Sequence, residues 1–91
     1  MNITKTTNGS ELAIALEGRL DTTTSPKLEA ELKQSITGVT GLTIDMAALE
    51  YISSSGLRVL LSAQKVMNKQ GSMVIKNVNE TIMDVAILSR R

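Results

Sequence analysis

The sequence predicts an α/β fold in which helices pack on a mixed four-stranded sheet, in the order β-β-α-β-α-β-α. Short apolar segments alternate with longer segments whose apolar residues recur every three or four positions, and glycines or polar clusters separate them. A chain of 91 residues is long enough for one hydrophobic core and too short for two. We therefore expect residues 1–91 to form a single small domain.

The first segments predict two strands joined by a turn. A short polar strand over residues 2–7 is followed by the turn signal Asn8-Gly9 and then by ELAIALEG, residues 11–18. In this second strand large apolar residues alternate with alanines. The alanine side predicts either a closely packed helix or a second buried face.

The next segment, DTTTSPKLEAELKQSITG, predicts a helix of about three turns. Thr24 or Ser25 suits its N-cap, Pro26 suits its first helical position and Gly38 suits its end. Its apolar stripe consists of Leu28, Leu32 and Ile36.

The second half predicts a strand over residues 41–46, a helix over 55–69 that ends at Gly71, and a strand over 72–78. Such a βαβ unit has parallel strands. The last strand contains three large apolar residues in a row, which predicts burial on both faces. Asn79 then suits the N-cap of a final helix. The apolar positions of the two helices are Leu57, Leu60, Leu61 and Met67, and Ile82, Met83, Val85, Ala86 and Ile87.

Composition excludes several classes of function. Ten basic residues against nine acidic ones, with a single aromatic residue, do not predict a nucleic-acid partner. The chain has no Cys and no His, which removes thiolate and Ser-His-Asp nucleophiles, cysteine zinc sites and histidine metal sites. No apolar run approaches the roughly 20 residues of a transmembrane helix. We expect a cytoplasmic protein that is not an enzyme, has no cofactor and does not insert into a membrane.

Three consecutive serines, Ser53, Ser54 and Ser55, stand between the strand over 41–46 and the following helix. They lie beyond the carboxyl end of a strand, where open α/β folds place their binding sites, and the loop 21–25 is expected at the same edge. One serine suffices to cap the helix. A serine nucleophile would need a base, and no P-loop motif is present. A phosphate at a helix N-terminus would be tolerated and would add a charge of about −1.5 to −2, so modification is the remaining chemistry.

The chain resembles the STAS domain, the module shared by sulfate transporters and bacterial anti-sigma factor antagonists. GRLDTTTSPKLEAEL resembles the strand-to-helix segment of the family, LTIDMAALEYISSSGLRVLLSA its central strand, loop and helix, and GSMVIKNVNETI its next strand and helix start. The resemblance covers nearly all of the chain. Relatives continue into another short strand and helix, so a chain that ends at Arg91 implies either a shortened domain or an apolar helix surface left for a partner.

The family motif D-[ST]-[ST]-G implies the roles of the serines. Aligned on Gly56, it makes Ser54 the phosphorylated residue and Ser55 the second hydroxyl residue, which supports the helix start. Ser53 stands where the family has Asp. The partner-binding surface implied by the resemblance consists of Asp21, Thr22, Ser53, Ser54, Ser55, Gly56 and Arg58.

The sequence leaves alternative roles open for three charged residues. Asp21 matches an acidic position near the phosphorylated residue in the family, or it is a loop carboxylate or a helix N-terminal cap. Asp45, at the end of its strand, is a cap or turn anchor more readily than a metal ligand. Arg58 lies four residues after Ser54 and either pairs with a phosphate there or is a solvated surface residue.

The resemblance implies an anti-sigma factor antagonist. Its unphosphorylated form would bind an anti-sigma factor serine kinase, phosphorylation of Ser54 by that kinase would end the binding, and a phosphatase acting on Ser54 would restore it. One alternative is a STAS accessory subunit of a membrane lipid transporter. Another is a STAS module that binds a small ligand such as a nucleotide.

Overall fold

The computed structural model describes residues 1–80 and residue 82, and within this part the predicted order of six elements is confirmed. The elements are β1 (Asn2–Asn8), β2 (Glu11–Leu20), α1 (Ser25–Ser35), β3 (Gly41–Ile52), α2 (Ser54–Gln70) and β4 (Ser72–Lys76). Glu80 and Ile82 are helical, and Asn79 Oδ1 accepts a hydrogen bond from the Ile82 N–H at 2.9 Å, which confirms the predicted cap. The remaining apolar positions of that last helix, and the chain end at Arg91, lie outside the described residues.

The four strands form one mixed sheet in the order β1-β2-β3-β4. β1 pairs with β2 in the antiparallel direction through a turn in which Gly9 has a φ of 63°, a backbone conformation that glycine adopts without strain. β3 and β4 form a parallel pair, as predicted for this βαβ unit, and β2 and β3, which α1 connects, are also parallel. Because β2 and β3 are parallel neighbours, their carboxyl ends meet at one edge of the sheet.

The core lies on one face of the sheet, beneath α1 and α2. Leu12, Ile14 and Leu16 of β2 are buried there, as the alternation predicts. The predicted apolar stripe Leu28, Leu32 and Ile36 is also buried in this core. In α2 the prediction is correct for Leu60 and Met67 and wrong for Leu61, which is 55% exposed. The other buried positions of α2 are Gly56, Val59 and Ala63.

Two predicted burials on the sheet are wrong. Ala13 and Ala15 are exposed, because both α1 and α2 pack against the opposite face of β2. β4 is not buried on both faces, since within the described part it is an edge strand that pairs with β3 alone. Its Val74 is 55% exposed and its Ile75 is 40% exposed.

β3 continues six residues past its predicted end at Met46, to Ile52. Two β-bulges explain the difference. Where β2 advances from Ala15 to Glu17, β3 advances from Asp45 to Ala48, and β3 contains a second extra residue opposite the step from Gly18 to Arg19. Each extra residue shifts the inward positions by one. The buried residues of β3 are accordingly Leu42, Ile44, Met46, Leu49 and Ile52.

Candidate functional site

Two loops meet at the carboxyl ends of β2 and β3, as the sequence predicts. Leu20 and Ile52 are register partners at the strand ends, and the Ser53 N–H donates a hydrogen bond to the Leu20 carbonyl at 2.8 Å. The loop after β2 and the start of α2 thereby border one open depression of about 490 Å³. Its lining residues are Thr22, Ser25, Pro26, Glu29, Ser55, Arg58, Val59 and Ser62.

Asp21 organises the first loop. Its Oδ1 accepts hydrogen bonds from the Thr23 N–H at 3.0 Å, the Thr23 hydroxyl at 2.7 Å and the Thr24 N–H at 3.1 Å. The Thr23 hydroxyl, followed by the Thr24 N–H, lowers the pKa of Asp21 below its ordinary value of 3.8. The reading of Asp21 as a loop carboxylate is therefore correct, and the same carboxylate lies on the edge that carries the serines.

The start of α1 differs from the predicted cap. Thr24 occupies the N-cap position, but its side chain accepts no hydrogen bond from the helix. Its hydroxyl donates instead to the Arg19 carbonyl at 2.9 Å and accepts from the Asp21 N–H at 2.8 Å. Ser25 is buried, and its hydroxyl donates to the Asp21 carbonyl at 2.6 Å. Both hydroxyl groups fix the loop onto the end of β2.

Ser53 is the N-cap of α2. Its Oγ accepts a hydrogen bond from the Gly56 N–H at 3.2 Å, while its carbonyl accepts from the Leu57 N–H at 3.0 Å. The prediction that Ser55 supports the helix start is therefore wrong. Serine and aspartate are comparably strong N-caps. Ser53 therefore caps α2 about as well as an aspartate at this position would.

Ser54 and Ser55 have different surroundings. Ser54 is exposed at the first position of α2, and within the described part of the chain its hydroxyl makes no hydrogen bond. Ser55 is half-buried and lines the depression together with Thr22 and Arg58. Capping by Ser53 leaves the Ser54 hydroxyl free to meet another molecule.

Gly56 lies beneath the site and not on its surface. It is buried, and a Cβ there would approach the Leu20 Cγ to 2.7 Å and the Ile52 Cγ1 to 3.0 Å. The expectation that Gly56 contacts a partner therefore conflicts with its position. Its lack of a side chain allows the first turn of α2 to pack closely against the ends of β2 and β3.

Arg19 and Tyr51 are site residues that the sequence reasoning missed. They are register partners on β2 and β3, and the Arg19 guanidinium lies 4.4 Å from the centroid of the Tyr51 ring. The Arg19 Nε also lies 4.0 Å from Asp21 Oδ2. The sequence contained one sign of this pair: Tyr51, the only aromatic residue of the chain, lies two positions before the serines.

The structure also shows the surroundings of Arg58 and Asp45, the other two charged residues for which the sequence left alternatives. Arg58 is exposed, and among residues 1–80 and 82 it forms no ion pair. The prediction that Asp45 lies at a strand end and anchors a turn is wrong, because Asp45 lies within β3 at the first bulge. Its Oδ1 accepts hydrogen bonds there from the Ala47 N–H and the Asn77 Nδ2, each at 2.9 Å. The Asn77 amide contributes most to lowering the pKa of Asp45. Within the described residues, no group of three or more acidic side chains is arranged to hold a metal ion.

The geometry defines a small α/β domain whose sheet edge presents an exposed serine at a helix N-terminus. None of the helices in the described ranges is long and apolar enough to cross a membrane. The family model for the STAS domain matches residues 2–89, so this chain belongs to the STAS family.

Three relatives illustrate the similarity. BtrV from Bordetella bronchiseptica, named as a candidate anti-sigma factor antagonist, is 34% identical over 80 residues, which are 86% of this chain and 69% of BtrV. An anti-sigma factor antagonist from Mycobacterium paratuberculosis has a TM-score of 0.87 at 19% identity, with 98% of this chain and 77% of that one covered.

The third relative, the anti-sigma factor antagonist SpoIIAA, shares the fold in two forms. Its unphosphorylated form has a TM-score of 0.79 at 20% identity, with 92% of this chain and 80% of SpoIIAA covered. The phosphorylated form, from Bacillus, has a TM-score of 0.78 at 21% identity, with 97% and 83% covered.

Proposed function

We propose that this chain is an anti-sigma factor antagonist that binds an anti-sigma factor with serine kinase activity, and that phosphorylation of Ser54 ends the binding. The observation that carries the proposal is the exposed Ser54 hydroxyl at the start of α2, next to a serine that already caps the helix. The names of the relatives support the same class of function. The chain would act in the bacterial cytoplasm, where sigma factors work.

The start of α2 suits a phosphoryl group. Ser53 satisfies the Gly56 N–H, whereas the N–H groups of Ser54 and Ser55 have no acceptor in the turn that precedes them. Free N–H groups and the positive end of the helix dipole favour an anion by about 0.3–1 kcal/mol. Phosphorylation would therefore leave the domain folded. The likeness of this fold to both forms of SpoIIAA agrees with a switch that preserves the fold.

The same phosphoryl group would oppose a partner docked on this edge. It adds a charge of about −1.5 to −2 to a surface that includes Thr22, Ser55 and Arg58. Burying that charge without a cation from the partner would cost about 3 kcal/mol, which is on the order of a hundredfold in affinity. The phosphorylated chain would thus dissociate from the partner that modified it.

The chain itself would not be a catalyst. The kinase would hold ATP and transfer its γ-phosphoryl group to the Ser54 Oγ, and a phosphatase would hydrolyse the resulting ester. Asp21 and Ser53 would shape the docking edge through the loop and the helix start that they organise.

The test combines phosphorylation with binding. The purified chain is incubated with ATP and each anti-sigma factor kinase of the same organism, and the intact mass is measured. We expect one added phosphoryl group on the parent, one on Ser55→Ala as the matched control, and none on Ser54→Ala.

Binding of the same kinases is then measured for Ser54→Asp. We expect it to fold like the parent and to bind about a hundredfold more weakly. Phosphorylation that persists in Ser54→Ala, or equal binding by Ser54→Asp, would contradict the proposal. Stable co-purification with a transporter ATPase and no phosphorylation would favour an accessory subunit.

A further inference from the structure

The solvent face of α2 has an unusual charge pattern. We define this face by five exposed residues that succeed one another at helical spacing from the N-terminus of α2: Ser54, Arg58, Leu61, Lys65 and Lys69. The helix contains no Asp or Glu. At a rise of about 1.5 Å per residue, the face extends about 22 Å away from Ser54.

The positive charge of this face is not balanced locally. Within the described part of the chain, Arg58, Lys65 and Lys69 have no carboxylate within ion-pair distance. The acidic neighbour that lines the depression beside Arg58 is Glu29 of α1, and its carboxylate lies 3.4 Å from the Lys33 ammonium. Lys69 also complements the C-terminal end of the helix dipole. Arg58 and Lys65 have no such structural task.

Leu61 lies in the middle of this positive face and is 55% exposed. A single exposed leucine is ordinary on a protein surface. Here, however, it is three residues after Arg58 and four residues before Lys65, so an apolar side chain is bordered by cations on both sides. An apolar anchor surrounded by charges that select the partner is the usual arrangement of a protein-binding surface.

We propose that the solvent face of α2 is the docking surface for an acidic patch of the partner protein, which receives Leu61 in an apolar recess. The proposal rests on the proposed function and extends it, because it continues the docking edge from Ser54 along the solvent face of α2. Arg58 and Lys65 attract the acidic patch, and Leu61 supplies the apolar contact.

The position of Ser54 at one end of this face gives phosphorylation a second effect. The added charge of about −1.5 to −2 would offset about half to two thirds of the three positive charges of the face. Arg58 lies one turn from Ser54 and is within reach of a phosphate there, so the modified chain would also withdraw Arg58 from its partner. The switch would therefore weaken attraction along the whole helix face.

An anionic membrane is the rival occupant of a cationic helix face. Recognition of lipid headgroups usually requires clusters of about four to eight basic residues. The three cations of this face are fewer, and they adjoin an edge already shaped for a protein. A protein partner is therefore favoured.

The test uses Leu61→Ala and Lys65→Glu, with Lys27→Glu as the matched control on the exposed surface of α1. The association rate and affinity for the anti-sigma factors of the same organism are measured at low and high salt, and thermal unfolding verifies that each variant is folded. We expect Leu61→Ala to bind about tenfold more weakly at both salt concentrations. Lys65→Glu should associate about tenfold more slowly at low salt, with a smaller deficit at high salt. Lys27→Glu should bind like the parent.

The outcomes separate this proposal from the proposed function. If Ser54→Asp weakens binding while Leu61→Ala and Lys65→Glu bind like the parent, the docking surface is refuted and the switch stands. If the α2 variants weaken binding and Ser54→Asp does not, the docking surface stands and the switch is refuted. A parent chain that binds no anti-sigma factor, or that binds phosphatidylglycerol vesicles through Lys65 instead, overturns the docking proposal.

Discussion

The close packing of Gly56 supports a quantitative prediction for Gly56→Ala. The new Cβ would lie 2.7 Å from the Cγ of Leu20 and 3.0 Å from the Cγ1 of Ile52. Both side chains are 0% exposed, and the Leu20 Cγ is a branch point and not a flexible end, so relief requires the helix start to shift. Overpacking of this kind costs about 1–3 kcal/mol.

An alanine also gains up to about 1 kcal/mol over glycine in a helix, and less in the first turn. The net loss of unfolding free energy should therefore be about 1–2 kcal/mol, which corresponds to a decrease of roughly 5–15 °C in Tm for a domain of this size. Urea unfolding followed by circular dichroism measures it. Ser62→Ala, an exposed position in the same helix, is the control and should change the unfolding free energy by no more than about 0.5 kcal/mol. A Gly56→Ala variant as stable as the parent would refute the packing argument.

Two further substitutions test the helix start and the hydrogen bonds of Asp45. Ser53→Ala should lower the unfolding free energy by about 1 kcal/mol because it removes the cap of α2. Ser53→Asp should be at least as stable as the parent, because Asp also caps and its charge favours the helix N-terminus. Equal urea midpoints for the Ala variant and the parent would contradict this. The pKa of Asp45 lies below its ordinary value of 3.8, so the stability that its ionised form contributes is present above that value and is lost as the pH falls through the lowered pKa. Asp45→Asn should consequently be less stable than the parent at neutral pH and approach it in acid; a difference in urea midpoint that is the same at both pH values would show that ionisation is irrelevant.

The hydrophobic pattern predicted β3 correctly only as far as its alternation was regular. Leu42, Ile44 and Met46 follow a period of two, which identifies a strand. Beyond Met46 the next inward residues are Leu49 and Ile52, at intervals of three, because each bulge inserts one residue. An interval of three is not typical of a strand. The bulges arise from pairing with β2, and the sequence of β3 alone does not contain that information.

The site, like β3, was predicted only in part from the sequence. That the two loops share one edge followed from chain order and parallel pairing, and the hydrogen bond from Ser53 to Leu20 confirms it. Which serine caps α2 did not follow, because Ser53, Ser54 and Ser55 have the same side chain and differ only in where the helix begins. That point depends on the end of β3, which the bulges move to Ile52.

The cation–π pair beside the site has a practical consequence. Tyr51 is the only aromatic residue of the chain, which has no Trp and no Phe, and it lies against Arg19, two positions before Ser53, the N-cap of α2. The near-ultraviolet absorption and fluorescence of the purified chain therefore originate at one known place. Changes at the proposed docking edge can therefore be followed by the intrinsic fluorescence of Tyr51, without an attached dye.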